Sequence, residues 1–178
     1  MQPFTAVMVI AVELLRSFTA PPNLAQACYL REVSYEHDAA HQGLPAGVRK
    51  TDLLALIENL GKHGLGVSSA AARLLRHYVW RSRDADYQPG RICAVWDRVS
   101  HSAEQLDLST RSINEAEREL ESHGLIRRTT GNNGARVGQR AGEVIRWAAG
   151  VNLAPLIARY SALKVAWEAR CLHQQAGA

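Results

Sequence analysis

The sequence predicts a mainly α protein with a small β-sheet, a winged helix-turn-helix with extra N- and C-terminal helices. Three observations carry that expectation. Between Val99 and Gly124 a short helical pattern, a polar turn and a longer helical pattern follow one another. Leu125-Ile126 then opens a strand-like arm that Arg127 and Arg128 make basic, and a second arm follows the turn-forming Asn132-Asn133-Gly134. Arg91-Ile92-Cys93-Ala94-Val95-Trp96 reads as a short strand just before the helices, where such a fold places a strand that pairs with the wing.

Taken in order, Phe4 to Val12 is apolar, but no Lys or Arg precedes it and Glu13 and Arg16 follow at once. It is expected to pack on the domain; a secretion signal wants different flanks, and a bilayer span needs about 20 apolar residues. Pro21-Pro22 break the segment, and Asn23 to Ala40 is a second helix candidate, so residues 1–43 form an N-terminal helical extension. Gly43-Leu44-Pro45-Ala46-Gly47 is a linker, and the winged-helix domain is expected over 44–152. Thr51 is placed to cap a helix with Leu53, Leu56, Ile57 and Leu60 on one face, ending near Gly61 to Gly64. A longer helix over Ser69 to Arg81 buries Ala71, Leu74, Leu75, Tyr78 and Val79 and turns Arg73, Arg76 and Arg81 outward, as a solvated face or as side chains that approach a DNA backbone. Tyr87-Gln88-Pro89-Gly90 reads as a turn.

In the two-helix motif, Leu106 and Leu108 flank the turn and Ser109 is the N-cap, its hydroxyl accepting from an amide of the first turn. Ile113, Ala116 and Leu120 recur at helical spacing, while Arg111, Ser112, Glu115, Arg118 and Glu119 are expected to face outward. Gly124 ends the helix. Val144-Ile145-Arg146-Trp147 either closes the sheet or begins a bend. Over 153–178 a final helix runs from Pro155 towards Gln174, with Leu156, Tyr160, Leu163, Trp167 and Arg170 or Cys171 three and four apart. That stripe either packs on the domain or forms a homodimer seam.

Composition is ordinarily globular: 178 residues, 47% hydrophobic, 21% charged, net charge +4. The positive balance is compatible with a polyanionic partner. Cys28, Cys93 and Cys171 lie far apart with no CxxC, against a disulfide framework or structural zinc and in favour of a reducing cytoplasm. His37 and His41 have the i, i+4 spacing of a shared metal site but no evident third ligand, so they read as surface histidines and no metal is expected. Gly61-Lys62-His63-Gly64-Leu65-Gly66 follows a helix and lacks the GK[ST] ending of a phosphate loop. Gly131-Asn132-Asn133-Gly134 matches the GxxG clamp of KH domains, but that clamp joins two helices; strand-like flanks favour a wing tip. No catalytic cluster or cofactor fingerprint stands out, so neither an enzyme nor a cofactor is expected.

The expected partner is double-stranded DNA. On the second motif helix Arg111 can reach guanine and Asn114 can pair with adenine, with Ser109 and Ser112 as cap or phosphate groups beside Thr110 and Arg118. Arg127, Arg128, Arg136 and Arg140, with Asn132 and Asn133 at the tip, are placed to follow the backbone or enter the minor groove. Against this stand seven carboxylates between Asp97 and Gly124, with three arginines. A carboxylate facing a phosphate repels it. Glu117 and Glu121 can instead pair with Arg118 or point away from DNA, but if Glu115 faces the groove, affinity is expected to be low or to depend strongly on the wing.

From Leu44 to Leu163 the chain resembles the N-terminal domain of the plasmid replication initiator C family, the initiators of repABC-type plasmids. The resemblance rests on an ordered series. Leu44-Pro45-Ala46-Gly47-Val48-Arg49-Lys50 comes first, then the Trp96 strand and Leu108-Ser109-Thr110-Arg111. Gly124-Leu125-Ile126-Arg127-Arg128, the Asn133-Gly134-x-Arg136 wing and Asn152-Leu153-Ala154-Pro155-Leu156 follow. The resemblance implies a winged helix that binds plasmid origin DNA and starts replication without catalytic chemistry of its own. The chain departs from the family pattern at Asn114-Glu115, where basic residues are usual, and at Ala135, where the wing usually has lysine; family members are also longer. The alternatives are a small dimeric transcriptional regulator and a degenerate winged-helix module that binds protein.

Overall fold

The structure, a computed structural model, describes residues 40–131 and 134–176; the expectations for 1–39, His37 and Asn132-Asn133 lie outside them. Helix α1 spans Lys50–Leu65. Thr51 does not cap it: Arg49 is the N-cap, and the Asp52 carboxylate accepts the Arg49 amide at 2.8 Å, satisfying that donor from inside the first turn. Gly61 kinks the helix, which runs on to Leu65. Helix α2 spans Ser69–Arg81, with the Ser68 hydroxyl accepting from the Ala71 amide. Its Leu74, Leu75, Tyr78 and Val79 are buried, as their spacing predicts.

A 3-10 turn over Asp84–Tyr87 leads to strand β1, Ala94–Val95. Helix α3 covers Val99–Leu106 and helix α4 Thr110–Ser122. Between them Asp107 takes a left-handed conformation (φ 51°), a role that a short polar side chain tolerates better than a branched one. Ser109 caps α4 as expected, accepting the Ser112 amide at 3.0 Å.

Strands β2 (Arg127–Arg128) and β5 (Val151–Asn152) join β1 in an antiparallel sheet of order β1-β5-β2. Between β2 and β5 lies a separate hairpin of β3 (Val137–Ala141) and β4 (Val144–Ala149). The segment Val144 to Trp147 is therefore strand, not a bend. The hairpin tip also differs from the expectation. Ala141 pairs with Val144, so Gly142-Glu143 is the two-residue turn, with Gly142 at φ 60°, which suits a first turn position that only glycine occupies readily. Gly131 and Gly134 lie instead on a tight loop leading into the first arm, closed by the Gly134 amide on the Gly131 carbonyl.

After β5 the chain turns into α5 (Ala154–Ala158) and α6 (Tyr160–Ala176), so the single final helix is two, separated at Arg159. Asn152 Oδ1 accepts the Ala154 amide at 2.7 Å, and Pro155 follows in the first turn, where its missing N–H costs nothing. One core joins Leu53, Leu56, Ile57 and Leu60 of α1 to Leu74 and Tyr78 of α2, Ile113 and Leu120 of α4, and Leu156, Tyr160 and Leu163 after the sheet. The predicted stripe of α6 is thus spent inside its own fold, with Arg170 donating to the Leu60 carbonyl at 3.2 Å. A smaller cluster, Ile92, Ala94, Ile145 and Ala148 with Trp96 against it, seats the hairpin on β1.

Candidate nucleic-acid interface

Helix α4 carries the densest alternation of charge in the chain, and its packing sorts that charge by sign. Ile113, Ala116 and Leu120 set the inward face, and Glu117 lies on the same face with no exposed area. Arg136 reaches it from the loop before β3, with Nη2 2.6 and 2.7 Å from the two carboxylate oxygens. The Tyr78 hydroxyl donates to the same carboxylate, and Arg136 Nη1 lies 3.5 Å from the Asp97 carbonyl. Burial and the adjoining carboxylate push the Tyr78 phenol upward. Burial opposes the Arg136 charge, but the bonds to Glu117 outweigh it and raise its pKa.

The next two glutamates are also committed. Glu119, half-exposed, turns to Ser68: it accepts the Ser68 amide at 2.7 Å and its hydroxyl at 2.6 Å, so α4 helps cap α2. Glu121 accepts the amide and the Nε of Arg128, each at 2.8 Å. Although partial burial works against its charge, those bonds hold the Glu121 carboxyl below its usual range. The outward face retains Thr110, Arg111, Glu115 and Arg118, exposed, with Asn114 and Ser112 half-buried between them. Arg111 is 87% exposed and pairs with Glu115 through Nε at 2.8 Å; Arg118 has no ion pair among the described residues.

The expected basic wing is largely turned inward. Arg136 is 11% exposed in its side chain and engages Glu117. Arg140 engages Asp86, whose side chain is 1% exposed, at 2.6 and 2.8 Å, and its guanidinium lies 5.5 Å from the Trp96 ring centre. Both are ion-pair partners of buried carboxylates, because a buried carboxylate left without a counter-charge is costly. Arg128 is held by Glu121, and Arg127 is exposed beside Pro45, Pro155 and Ser161 on a separate groove. On α2 the outward arginines are likewise engaged, Arg73 on the Leu106 carbonyl at 2.6 Å, Arg76 on Glu58 and Arg81 on Asp97. Of the sequence-predicted residues the structure therefore brings together Ser109 to Asn114 and Arg118 on one outward surface, and removes Arg136 and Arg140 from it.

Sequence reasoning missed Glu117, Tyr78, Asp86 and Trp96 as partners of those arginines. Glu117 had a signal, since it is spaced four from Ile113 on the apolar face; Asp86, in a short 3-10 turn, had none. His41 is not a surface histidine: its ring lies between the Gly43 amide, which donates to Nδ1 at 2.9 Å, and the Asp86 carbonyl at 2.8 Å from Nε2. That arrangement needs the proton on Nε2, and burial lowers the ring's pKa. Among the described residues no group of three or more His, Cys, Asp or Glu is placed to hold a metal ion, and no helix is long and apolar enough to cross a membrane.

The family model for the replication protein C N-terminal domain matches residues 29–177. The match starts upstream of Leu44, so part of the segment set aside from the sequence resemblance belongs to it. No curated protein and no solved structure gives a significant match.

Proposed function

The chain belongs to the replication protein C N-terminal domain family, a family of replication initiators, and on that premise we propose that it docks on duplex DNA through α4 as the reading helix of a winged helix-turn-helix. The order α2, β1, α3, α4, β2, hairpin, β5, with β5 central in the sheet, supports that fold. One observation carries the DNA reading: the three consecutive acidic positions Glu117, Glu119 and Glu121 are taken up by internal partners, which leaves Arg111, Asn114 and Arg118 on the outward surface. Asn114 is suited to an adenine edge and Arg111 to guanine, with Arg118 on a phosphate. No catalytic step is assigned to the chain; in this reading it marks origin DNA by binding it.

The test is selection of duplexes from a random pool at stated salt, followed by Arg118→Ala and Asn114→Ala on the selected site. Arg118→Ala should weaken binding to all duplexes and reduce the slope of log K against log salt by about 0.9. Asn114→Ala should cost about 1–3 kcal/mol on the selected site and little elsewhere. A wild-type chain that retains no duplex at low salt would overturn the reading in favour of a module that binds protein.

A dimeric form of the same reading draws on α6. Its expected seam is spent in the core, but Val165 and Leu172, seven residues apart, are 64% and 67% exposed. A homodimer would pair these positions, and light scattering of Leu172→Glu against wild type separates it from a monomer.

A further inference from the structure

The arginines of this fold fall into two groups. Most are closed onto carboxylates or carbonyls of the chain itself. Arg91 and Arg146 have no side-chain partner among the described residues, and they share one groove of about 600 Å³ in which no described residue contributes a carboxylate. The groove shares no residue with the outward face of α4.

Its construction explains why the two guanidiniums are left over. The Ala40–Ile92 bridge sets one wall beside Gly90 and Arg91, and β4 sets the other. Along β4 side chains alternate, so buried Ile145 leaves Val144 and Arg146 on the opposite side of the strand. Asp86, whose backbone carbonyl meets His41 in the groove wall, has its carboxylate neutralised by both terminal nitrogens of Arg140. Glu143, at the hairpin tip, pairs with Arg83 at 3.5 Å. His41, also in the wall, has both ring nitrogens engaged and adds no charge. Two cations therefore line a groove beside Val144, with no carboxylate among its described lining residues to satisfy them.

We propose that this groove binds phosphate groups of a DNA backbone, as a second contact apart from α4, with Arg91 and Arg146 as the ligating side chains. The proposal rests on the DNA-binding reading above. The volume accommodates more than a single phosphate, and guanidinium forks match phosphate oxygens in pairs. Such a contact is indifferent to sequence, and it would supply the counterion-releasing charge that the buried wing arginines do not.

The test compares wild type, Arg91→Gln/Arg146→Gln and, as a charge-matched control, Arg76→Gln/Arg83→Gln, each checked for folding by circular dichroism. Binding of a labelled 25-base-pair duplex is followed by fluorescence anisotropy across a salt series, and inorganic pyrophosphate binding by calorimetry. The expected result is a salt slope lowered by about 1.8 in the groove variant, at about 0.9 per lost contact, with the preference among selected duplexes kept and the control close to wild type. A slope that falls equally in both double variants reflects net charge alone and overturns the assignment. Pyrophosphate binding lost in the groove variant with an unchanged duplex slope assigns the groove to a free phosphate compound and overturns the DNA source. If wild type binds no duplex, the DNA reading itself falls; wild-type binding with an unchanged groove variant overturns only the groove.

Discussion

The two faces of α4 carry charge of similar density and put it to opposite uses. Inward, Glu117, Glu119 and Glu121 meet Arg136 with Tyr78, Ser68 and Arg128. Outward, Arg111 and Arg118 flank Asn114, and Glu115 is the one outward carboxylate of that helix. A count of seven acids against three arginines around this helix suggests a surface hostile to DNA. What the partner sees depends instead on which charges the fold has already neutralised. The inner charges hold α4 to α2, to the loop before β3 and to Arg128; of the outer ones Arg111 and Glu115 pair only with each other, and Arg118 has no ion pair among the described residues.

The largest effect should come from breaking the inner set. Arg136→Ala leaves Glu117 buried without its counter-charge, and the expected loss is about 3–5 kcal/mol, read as a lowered urea midpoint. Arg118→Ala should stay within about 0.5 kcal/mol of wild type. Equal losses from the two would erase the distinction between the faces. The seat of the hairpin should be nearly as sensitive. A Cβ on Gly138 would stand 2.5 Å from the Trp96 ring, the ring on which the Arg140 guanidinium lies. Gly138→Ala is expected to cost about 1–3 kcal/mol and to change Trp96 fluorescence. An unperturbed melt would mean that the hairpin rests only lightly on β1.

Away from α4, the buried ring of His41 predicts an acid response. His41 is neutral between the Gly43 amide and the Asp86 carbonyl, with its pKa lowered by burial. The unfolded chain, with an ordinary imidazole near 6.5, takes up a proton first as pH falls, so this stabilisation is present above about pH 6.5 and is lost below it. Thermal melts should drop between pH 7.5 and 5.5, and the drop should shrink in His41→Gln, which keeps a donor and an acceptor but does not titrate. An identical pH dependence in that variant would assign the response to other groups, His77 among them, whose pKa burial also lowers.

The periodic parts of this fold were legible in the sequence. Ala71, Leu74, Leu75, Tyr78 and Val79 on α2 and Ile113, Ala116 and Leu120 on α4 are buried, and Ser109 caps α4, because local spacing and cap chemistry decide them. The segment between α4 and β5 was less legible. Asn-Gly is a strong hairpin signal, yet the long-range register of Val137 on Ala149 through Ala141 on Val144 moves the turn to Gly142-Glu143. Pairing across a sheet is set by the hydrophobic seat of Ile92, Ala94, Ile145 and Ala148, which no local motif announces. The roles of Arg136 and Arg140 were illegible for the same reason, since their carboxylates lie 19 and 54 residues away.

The smallest structural effect belongs to Glu115, and it probes the outer face most directly. Its pair with Arg111 is exposed on both sides, 55% and 87%, so Glu115→Gln should change stability by no more than about 0.5 kcal/mol. If α4 reads DNA as proposed, the same change removes the outward carboxylate that would oppose a phosphate and releases Arg111 from its neighbour. Duplex affinity should rise several-fold, and the salt slope should steepen by up to about 0.9 as Arg111 gains a backbone contact. If affinity instead falls on the selected site and holds on random duplex, Glu115 accepts from a cytosine amino group, as a carboxylate in the major groove can. If neither changes, α4 does not face DNA, and the segregation of charge on this helix serves the fold alone.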